Sequence, residues 1–324
     1  MKKYHYIVDT KLVAYYLIQR HRPVTDIFNK IAELLLHLKK KGEVYLCFDV
    51  GKSSYRLGEQ SYYKAHRAEQ REKQGEEALA KHDEFNDNYM KILEAYKLLN
   101  VTVLAIEGVE ADDLASLAVE QLRDDPNNRI TLITGDYDWL HMVVGTDNVR
   151  LYDFPYEQFW YHEKIVEHYG VTSRRQFSLK KSIVGDKSDN IKFVKNIAAV
   201  KGTELFEKII DQYDDPTDYY VIEEVEKYME DKPTLSVHTF HIEDGRTTVK
   251  EAFDSNMRIA DPFTDTSKLT PAQKAEWDKV LAPKTSTIVD DIYIDTMVLG
   301  AKLAEDFGYF VPLSETSKKV YGLV

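Results

Sequence analysis

Cysteine is nearly absent. Cys47 stands alone in a chain of 324 residues, which excludes an internal disulfide framework and suits a reducing compartment. No apolar run reaches the roughly 20 residues that a membrane-spanning helix needs. The opening MKKYHYIVDTKL carries basic residues but neither a long apolar stretch nor a small-residue cleavage site, so no secretory signal is expected and the chain reads as cytoplasmic. Internal repeats and low-complexity tracts are missing as well. Positive charge is in short supply: 43 Lys and Arg face 55 Asp and Glu, for a formal net charge of -12. Taken alone, that balance argues against a nucleic-acid partner, because phosphates are bound by basic surfaces. The argument weakens if the acids are gathered in one place, where bound divalent ions would return the missing positive charge.

What is present is enough for a sizeable core, with 43% hydrophobic and 12% aromatic residues. Four short apolar segments read as buried strands: YHYIVD (4–9), VYLCFD (44–49), VTVLAIEG (101–108) and ITLITGD (130–136). Between and after them, DIFNKIAELLLHLKK (26–40), NDNYMKILEAYKLL (86–99) and DDLASLAVEQLRDD (112–125) place apolar residues at helical spacing. Strands alternating with helices imply an α/β fold with a mainly parallel sheet flanked by helices.

The acids follow the strands. Asp9 ends the first and Asp49 the second; Glu110, Asp112 and Asp113 follow the third, and Asp136 and Asp138 the fourth. In open α/β sheets ligands sit outside the carboxyl ends of the strands, so these carboxylates converge on one rim. The stretch GVEADDLAS (108–116) poses the question most sharply. Acids near a helix start favour its dipole, and one of them can cap, but neither effect needs three. Crowded carboxylates repel unless a cation shares them. Oxygen ligands of this kind suit two divalent ions, Mg²⁺ with Mn²⁺ as a substitute, better than zinc. A further patch, SIVGDKSDNIKFV (182–194), adds Asp186 and Asp189. Spacing leaves two readings open there: ligands reaching the cluster across a loop, or Asp189 capping the next helix.

Other motifs lead nowhere. GKS (51–53) lacks the earlier glycine of a phosphate-binding loop, since Leu46 occupies that position. The histidines of VHTFH (237–241) have no cysteine partners and read as solvated. IVDTK offers Lys11 where an aspartyl-nucleophile phosphatase wants a second acid. The segment 53–85 is different. On a continuous helix Lys64, Arg67 and Arg71 share one face, and Tyr62 and Tyr63 add stacking surface. A solvated, salt-bridged helix is the plain alternative, but the segment springs from the acidic rim.

These residues resemble the metal-dependent 5′ nucleases, or flap endonucleases, of the bacteriophage type. The motifs are FDVGKSSYR, YYKAHR, GVEADDLA, TGDYDWL and VGDKSDN, in the family's order, and the likeness runs from residue 7 to about 210. The resemblance implies an α/β core over 1–175 with a helical arch at 53–85. It also implies a mainly helical C-terminal region over 176–324, with a helix-loop-helix duplex grip near 178–210. By motif, Asp9, Asp49, Glu110, Asp112, Asp113, Asp136, Asp138, Asp186 and Asp189 are the implied metal ligands. Lys64 and Arg67 are the implied catalytic cations, with Arg56 and Tyr63 as implied DNA contacts; Arg71 joins them from the shared helical face, and Lys192, Lys195 and Lys201 are expected as duplex contacts where the family's glycines are replaced. The implied activity is cleavage near the 5′ ends of flapped or nicked DNA by a monomer, in the host cytoplasm if viral, with RNA primers or an RNA–DNA hybrid as an open second substrate. A metal-dependent ribonuclease on the same sheet and a catalytically silent junction binder are the alternatives. One departure stands out: Phe193, Asn196 and Ala198 occupy positions where the family carries glycines, which argues against its potassium site. NMRIADPF (256–263) corresponds to the family's late apolar segment, and 287–308 reads as an added amphipathic helix.

Overall fold

The computed structural model describes residues 2–19, 37–67, 101–195, 199–230 and 234–281, with shorter pieces at 34–35, within 73–90 and at 232. The first half carries β1 (Lys3–Asp9), α1 (Thr10–Gln19), β2 (Glu43–Cys47), α2 (Ser54–Glu59), β3 (Thr102–Leu104) and α3 (Ala111–Arg123). Then come β4 (Asn128–Thr134), a 3-10 turn (Tyr137–Met142), β5 (Val149–Asp153) and β6 (Gln158–Trp160). Beyond the sheet lie α4 (His162–Tyr169), α5 (Arg174–Val184), β7 (Val194–Lys195), α6 (Ala199–Gln212), α7 (Asp218–Glu230), β8 (Ser236–Val237), α8 (Thr239–Glu243), α9 (Val249–Ala260) and α10 (Pro271–Leu281).

The six main strands pair in the order β3-β2-β1-β4-β5-β6. All neighbours are parallel except β6, which returns antiparallel to β5. β1 sits near the centre and is apolar on both faces, as a strand covered on both sides must be. Ile7 points into one core with Leu114, Ala115 and Ala118 of α3, while Tyr6 and Val8 enter the other with Val13, Phe48 and Tyr89. The first core continues through Leu179, Phe206 and Phe253, so the C-terminal helices share it with the sheet.

Several expectations change. The third strand is only Thr102–Leu104, because the chain turns at Ile106–Val109, where the Val109 N–H donates to the Ile106 carbonyl at 3.1 Å. The β5–β6 hairpin was not foreseen, since charges and Pro155 break its apolar pattern. The arch segment is not one continuous helix. α2 ends at Glu59, turns follow through residue 65, and Lys64 is left-handed at φ 54°. Lys64 therefore does not share a helical face with Arg67. Arg71, most of 26–40 and 86–99, and all of 287–308 lie outside the described residues, as do Asn196 and Ala198.

The C-terminal helices hold the segment around α2 through buried polar side chains. Asn256 is fully buried; its Oδ1 accepts from Gln60 Nε2 at 2.9 Å, and its Nδ2 donates to the carbonyls of Ser182 at 3.1 Å and Lys192 at 3.2 Å. His241 is buried rather than solvated, correcting the sequence expectation, and bridges the Tyr62 hydroxyl at 3.1 Å and the Lys192 carbonyl at 2.7 Å. Burial lowers its pKa to about 4, helped by Arg246 and opposed by the Lys192 carbonyl. Arg258 reaches the Glu59 carboxylate at 2.5 Å, and Ser61 reaches Asp244 at 2.9 Å.

Asn256→Leu removes one hydrogen bond each from Gln60 and from the Ser182 and Lys192 carbonyls, leaving Gln60 only Ser255 and the Lys192 carbonyl only His241. Chemical denaturation should show a loss of about 3 kcal/mol; stability within about 0.5 kcal/mol of the parent would mean that the network carries little weight.

Candidate active site

The strand ends deliver their acids to one place. Asp9 closes β1, and both its oxygens are engaged: Oδ1 accepts from the Leu12 N–H at 3.0 Å and Oδ2 from the Thr134 hydroxyl at 2.8 Å. Asp49, two residues past β2, caps α3 from outside, accepting from the Ala111 N–H at 2.8 Å. Glu110 occupies the cap position itself but spends its side chain elsewhere. Asp136 caps the 3-10 turn by accepting from the Asp138 N–H at 2.9 Å, which turns Asp138 toward α5.

The loop after α5 supplies the last two acids. Gly185 is left-handed at φ 87°, and a Cβ there would lie 2.8 Å from the Ile191 carbonyl, so glycine is required. Asp186 and Ile191 close the loop with two backbone hydrogen bonds of 2.9 and 2.8 Å. Asp189 does not cap a helix, so the capping reading of this acid falls. Its carboxylate lies 3.4 Å from the ammonium groups of both Lys64 and Lys181 and 3.6 Å from Arg67.

Asp9, Asp49, Glu110, Asp112, Asp136, Asp138 and Asp189 line a cleft of about 520 Å³, together with Tyr63, Lys64 and Arg67. Asp113 and Asp186 do not line it: Asp113 is fully buried against Arg56, and Asp186 pairs with Lys181. Two groups bring ligand oxygens within 4.8 Å of one another: Glu110, Asp112 and Asp113, and Asp138, Asp186 and Asp189. Lys64 spans both, donating to Glu110 at 2.7 Å while it faces Asp189. The Tyr63 hydroxyl donates to the other Glu110 oxygen at 2.9 Å. Burial works to lower the Lys64 pKa, but Glu110 and Asp189 more than offset it and hold the ammonium charged.

Arg56 departs from its expected role as a phosphate contact. Its residue is only 4% exposed. The guanidinium donates to both oxygens of Asp113, to Glu110 at 2.8 Å and to the Ile259 carbonyl at 3.0 Å. Burial would lower its pKa, yet Asp113 and Asp112 raise it well above the ordinary value. Arg56 is an internal counter-charge. Lys192 is half-buried, Lys195 and Lys201 are exposed, and all three lie in or beside β7 and α6. Phe193 is buried in the core, and its carbonyl accepts from the His238 N–H at 2.9 Å.

Sequence reasoning missed Lys181. It stands in the last turn of α5 and reaches Asp138 at 2.7 Å, Asp186 at 2.9 Å and Asp189 at 3.4 Å. Its one signal was position, on the helix leading into GDKSDN. Tyr137 was missed too: its hydroxyl donates to the buried Asp153 at 2.9 Å, anchoring the turn between Asp136 and Asp138.

The charges are unevenly matched. Asp189 is held down to about 2: burial pushes it up, but Lys181 and Lys64 outweigh that. Asp9 and Asp136 have no ion-pair partner among the described residues, and burial raises each to about 7, with Asp49 and Asp138 respectively adding repulsion. An all-oxygen donor set with raised, unpaired carboxylates fits a hard divalent cation.

A family model for the 5′-3′ exonuclease N-terminal, resolvase-like domain matches residues 4–170. The chain belongs to the 5′-3′ exonuclease family. The flap endonuclease of Escherichia phage T5 is 34% identical over 172 residues, covering 51% of this chain and 57% of that protein. DNA polymerase I of Caldicellulosiruptor bescii is 27% identical over 204 residues, 61% of this chain but 22% of the polymerase. The matches thus span little more than half of the first relative and about a fifth of the second. Among solved structures, T5 5′-exonuclease with bound divalent metal ions (zinc) superposes with a TM-score of 0.65 at 21% identity, covering 92% of this chain and 100% of that one. T5 flap endonuclease in a pseudo-enzyme-product complex with DNA and metal ions gives 0.63 at 22%, covering 86% and 97%. The fold of this exonuclease family member is therefore that of the T5 nuclease.

The raised carboxylates set a pH test. A folded pKa above the unfolded 3.8 means that Asp9 and Asp136 stabilise the metal-free protein below that value and lose the contribution as pH rises through about 7. Divalent ions compete with those protons. The rise in melting temperature on adding Mg²⁺ should be large at about pH 8 and small at about pH 5.5. An increment independent of pH would remove Asp9 and Asp136 from the metal-binding set.

Proposed function

We propose that the protein is a structure-specific 5′ nuclease that hydrolyses phosphodiesters near the 5′ ends of flapped or nicked DNA with two Mg²⁺ ions. One observation carries this reading: nine carboxylates at a single rim share five ion-paired cations, Lys11, Arg56, Lys64, Arg67 and Lys181. The shortfall in positive charge equals that of two divalent ions. Glu110, Asp112, Asp113 and Asp136 would hold one ion, and Asp138, Asp186 and Asp189 the other, with Asp9 and Asp49 acting directly or through water. Of Asp113, both oxygens already face Arg56, so its share is to fix the charge balance beneath that group.

Bound there, such ions would supply a nucleophilic water and stabilise charge on the leaving 3′ oxygen. The chain's own side chains do the positioning. Lys64 lies between the two acid groups, hydrogen-bonded to Glu110 at 2.7 Å and facing Asp189 at 3.4 Å, and its contribution is electrostatic. Arg67, half-exposed beside Ser188, guides the backbone over the cleft. Lys192, Lys195 and Lys201 would carry the duplex beyond it. The bound DNA and metal of the T5 flap endonuclease complex support this reading. The silent-binder alternative expects lost acids, and all nine are present.

The test is cleavage of 5′-flap DNA, single-stranded DNA and an RNA–DNA hybrid, each with Mg²⁺ and with chelator. Preferred, Mg²⁺-dependent cutting of the flap is expected. Asp136→Asn should slow the single-turnover rate on the order of 10²–10³-fold while leaving flap binding in place. Equal cutting of the hybrid and no flap preference would move the assignment to a ribonuclease, and no cutting at all to a silent binder.

A further inference from the structure

Most cations at the rim are already committed. Lys64 and Lys181 each donate a 2.7 Å hydrogen bond to a carboxylate, Arg56 is buried among three acids, and Arg67 donates to the Ser188 carbonyl at 2.9 Å. Lys11 is different. It lies in the first turn of α1, two residues after Asp9, and lines the same cleft. Its ammonium is 3.4 Å from Asp49 and its side chain is 41% exposed. That separation exceeds the roughly 2.7–2.9 Å of a charge-assisted hydrogen bond. Asp49 does not need Lys11 for its placement, because the Ala111 N–H already fixes its other oxygen at 2.8 Å. The Tyr89 ring lies 5.9 Å from the ammonium and shares a core with Val13 of α1, whereas Lys64 and Arg67 come from the turn after α2 and face Glu110 and Asp189. A loosely paired, half-solvated ammonium beside the acids can turn to an incoming anion at little cost.

We propose that Lys11 is a third cation of the cleft, beside Lys64 and Arg67, that contacts substrate, binding a phosphate oxygen of the nucleic-acid backbone next to the reacting phosphodiester from the α1 side. The proposal rests on the nuclease reading. It makes the cleft a two-sided clamp: Lys64 and Arg67 hold the backbone from one element, and Lys11 from another.

The experiment compares the parent with Lys11→Gln and Lys11→Arg on one 5′-flap DNA. Binding is measured by fluorescence anisotropy in Ca²⁺ across a salt series, and cleavage under single-turnover conditions in Mg²⁺. Lys11→Gln should reduce the salt slope of binding by about one phosphate contact and slow cleavage roughly tenfold, and Lys11→Arg should restore both. An unchanged slope and rate, with or without tighter Mg²⁺ binding, would make Lys11 only a counter-ion of Asp49 and overturn the proposal. A parent that cuts no nucleic acid would instead remove the nuclease reading, and the salt slope would still decide whether Lys11 touches phosphate.

Discussion

Mutual repulsion among carboxylates is the constraint around which this molecule is arranged. Nine acids cannot be brought to the carboxyl ends of a sheet unless something meets their charge. The chain supplies part of the answer internally. Arg56 enters from α2 to neutralise the start of α3, and Lys181 enters from α5 to neutralise the loop behind it. What is left unmet is concentrated at Asp9 and Asp136, over the central strands, where no cation of the described residues pairs with them and burial raises both groups. The rim is thus graded: well compensated toward Asp186 and Asp189, and poorly compensated toward the sheet. A cation entering the cleft gains most at the second place.

The same need for counter-charge explains why the C-terminal helices pack where they do. A buried guanidinium is tolerable only if every donor has an acceptor. The carboxylates of α3 satisfy most of Arg56, and the Ile259 carbonyl at the end of α9 satisfies the remainder. Gln60, Tyr62 and Asn190 follow the same logic. Each is a polar group brought inside, with partners at Asn256, His241 and the Tyr62 carbonyl. Stability and site geometry are therefore coupled through polar contacts rather than through apolar burial alone.

Much of the sheet and nearly all of its acids could be read from sequence, because both are local. A strand buried on two faces is a short apolar run, and an acid that ends it falls on the rim whatever the rest of the chain does. The first, second and fourth strands and α3 were placed to within two residues by that reasoning. What escaped it depends on distant partners. Arg56 looked like a phosphate contact because nothing nearby reveals Ile259, 203 residues on. Lys64 looked helical because its left-handed backbone is set by a hydrogen bond to the Asp189 carbonyl at 3.2 Å. His241 looked solvated because its partner Tyr62 is 179 residues away.

The polar bridge from α9 to α2 also bears on modularity. The family model ends at residue 170, a natural place to imagine a separable catalytic unit that could be fused to other proteins. In this chain such a cut would leave Gln60 without Ser255 and Asn256, and Arg56 without its carbonyl cover. The first half would carry nearly all the acids while losing the lining that keeps their internal counter-charge dry. Here the unit that keeps the site's counter-charge in place is the folded chain through at least α9, and a transplantable version has to be drawn at that longer boundary.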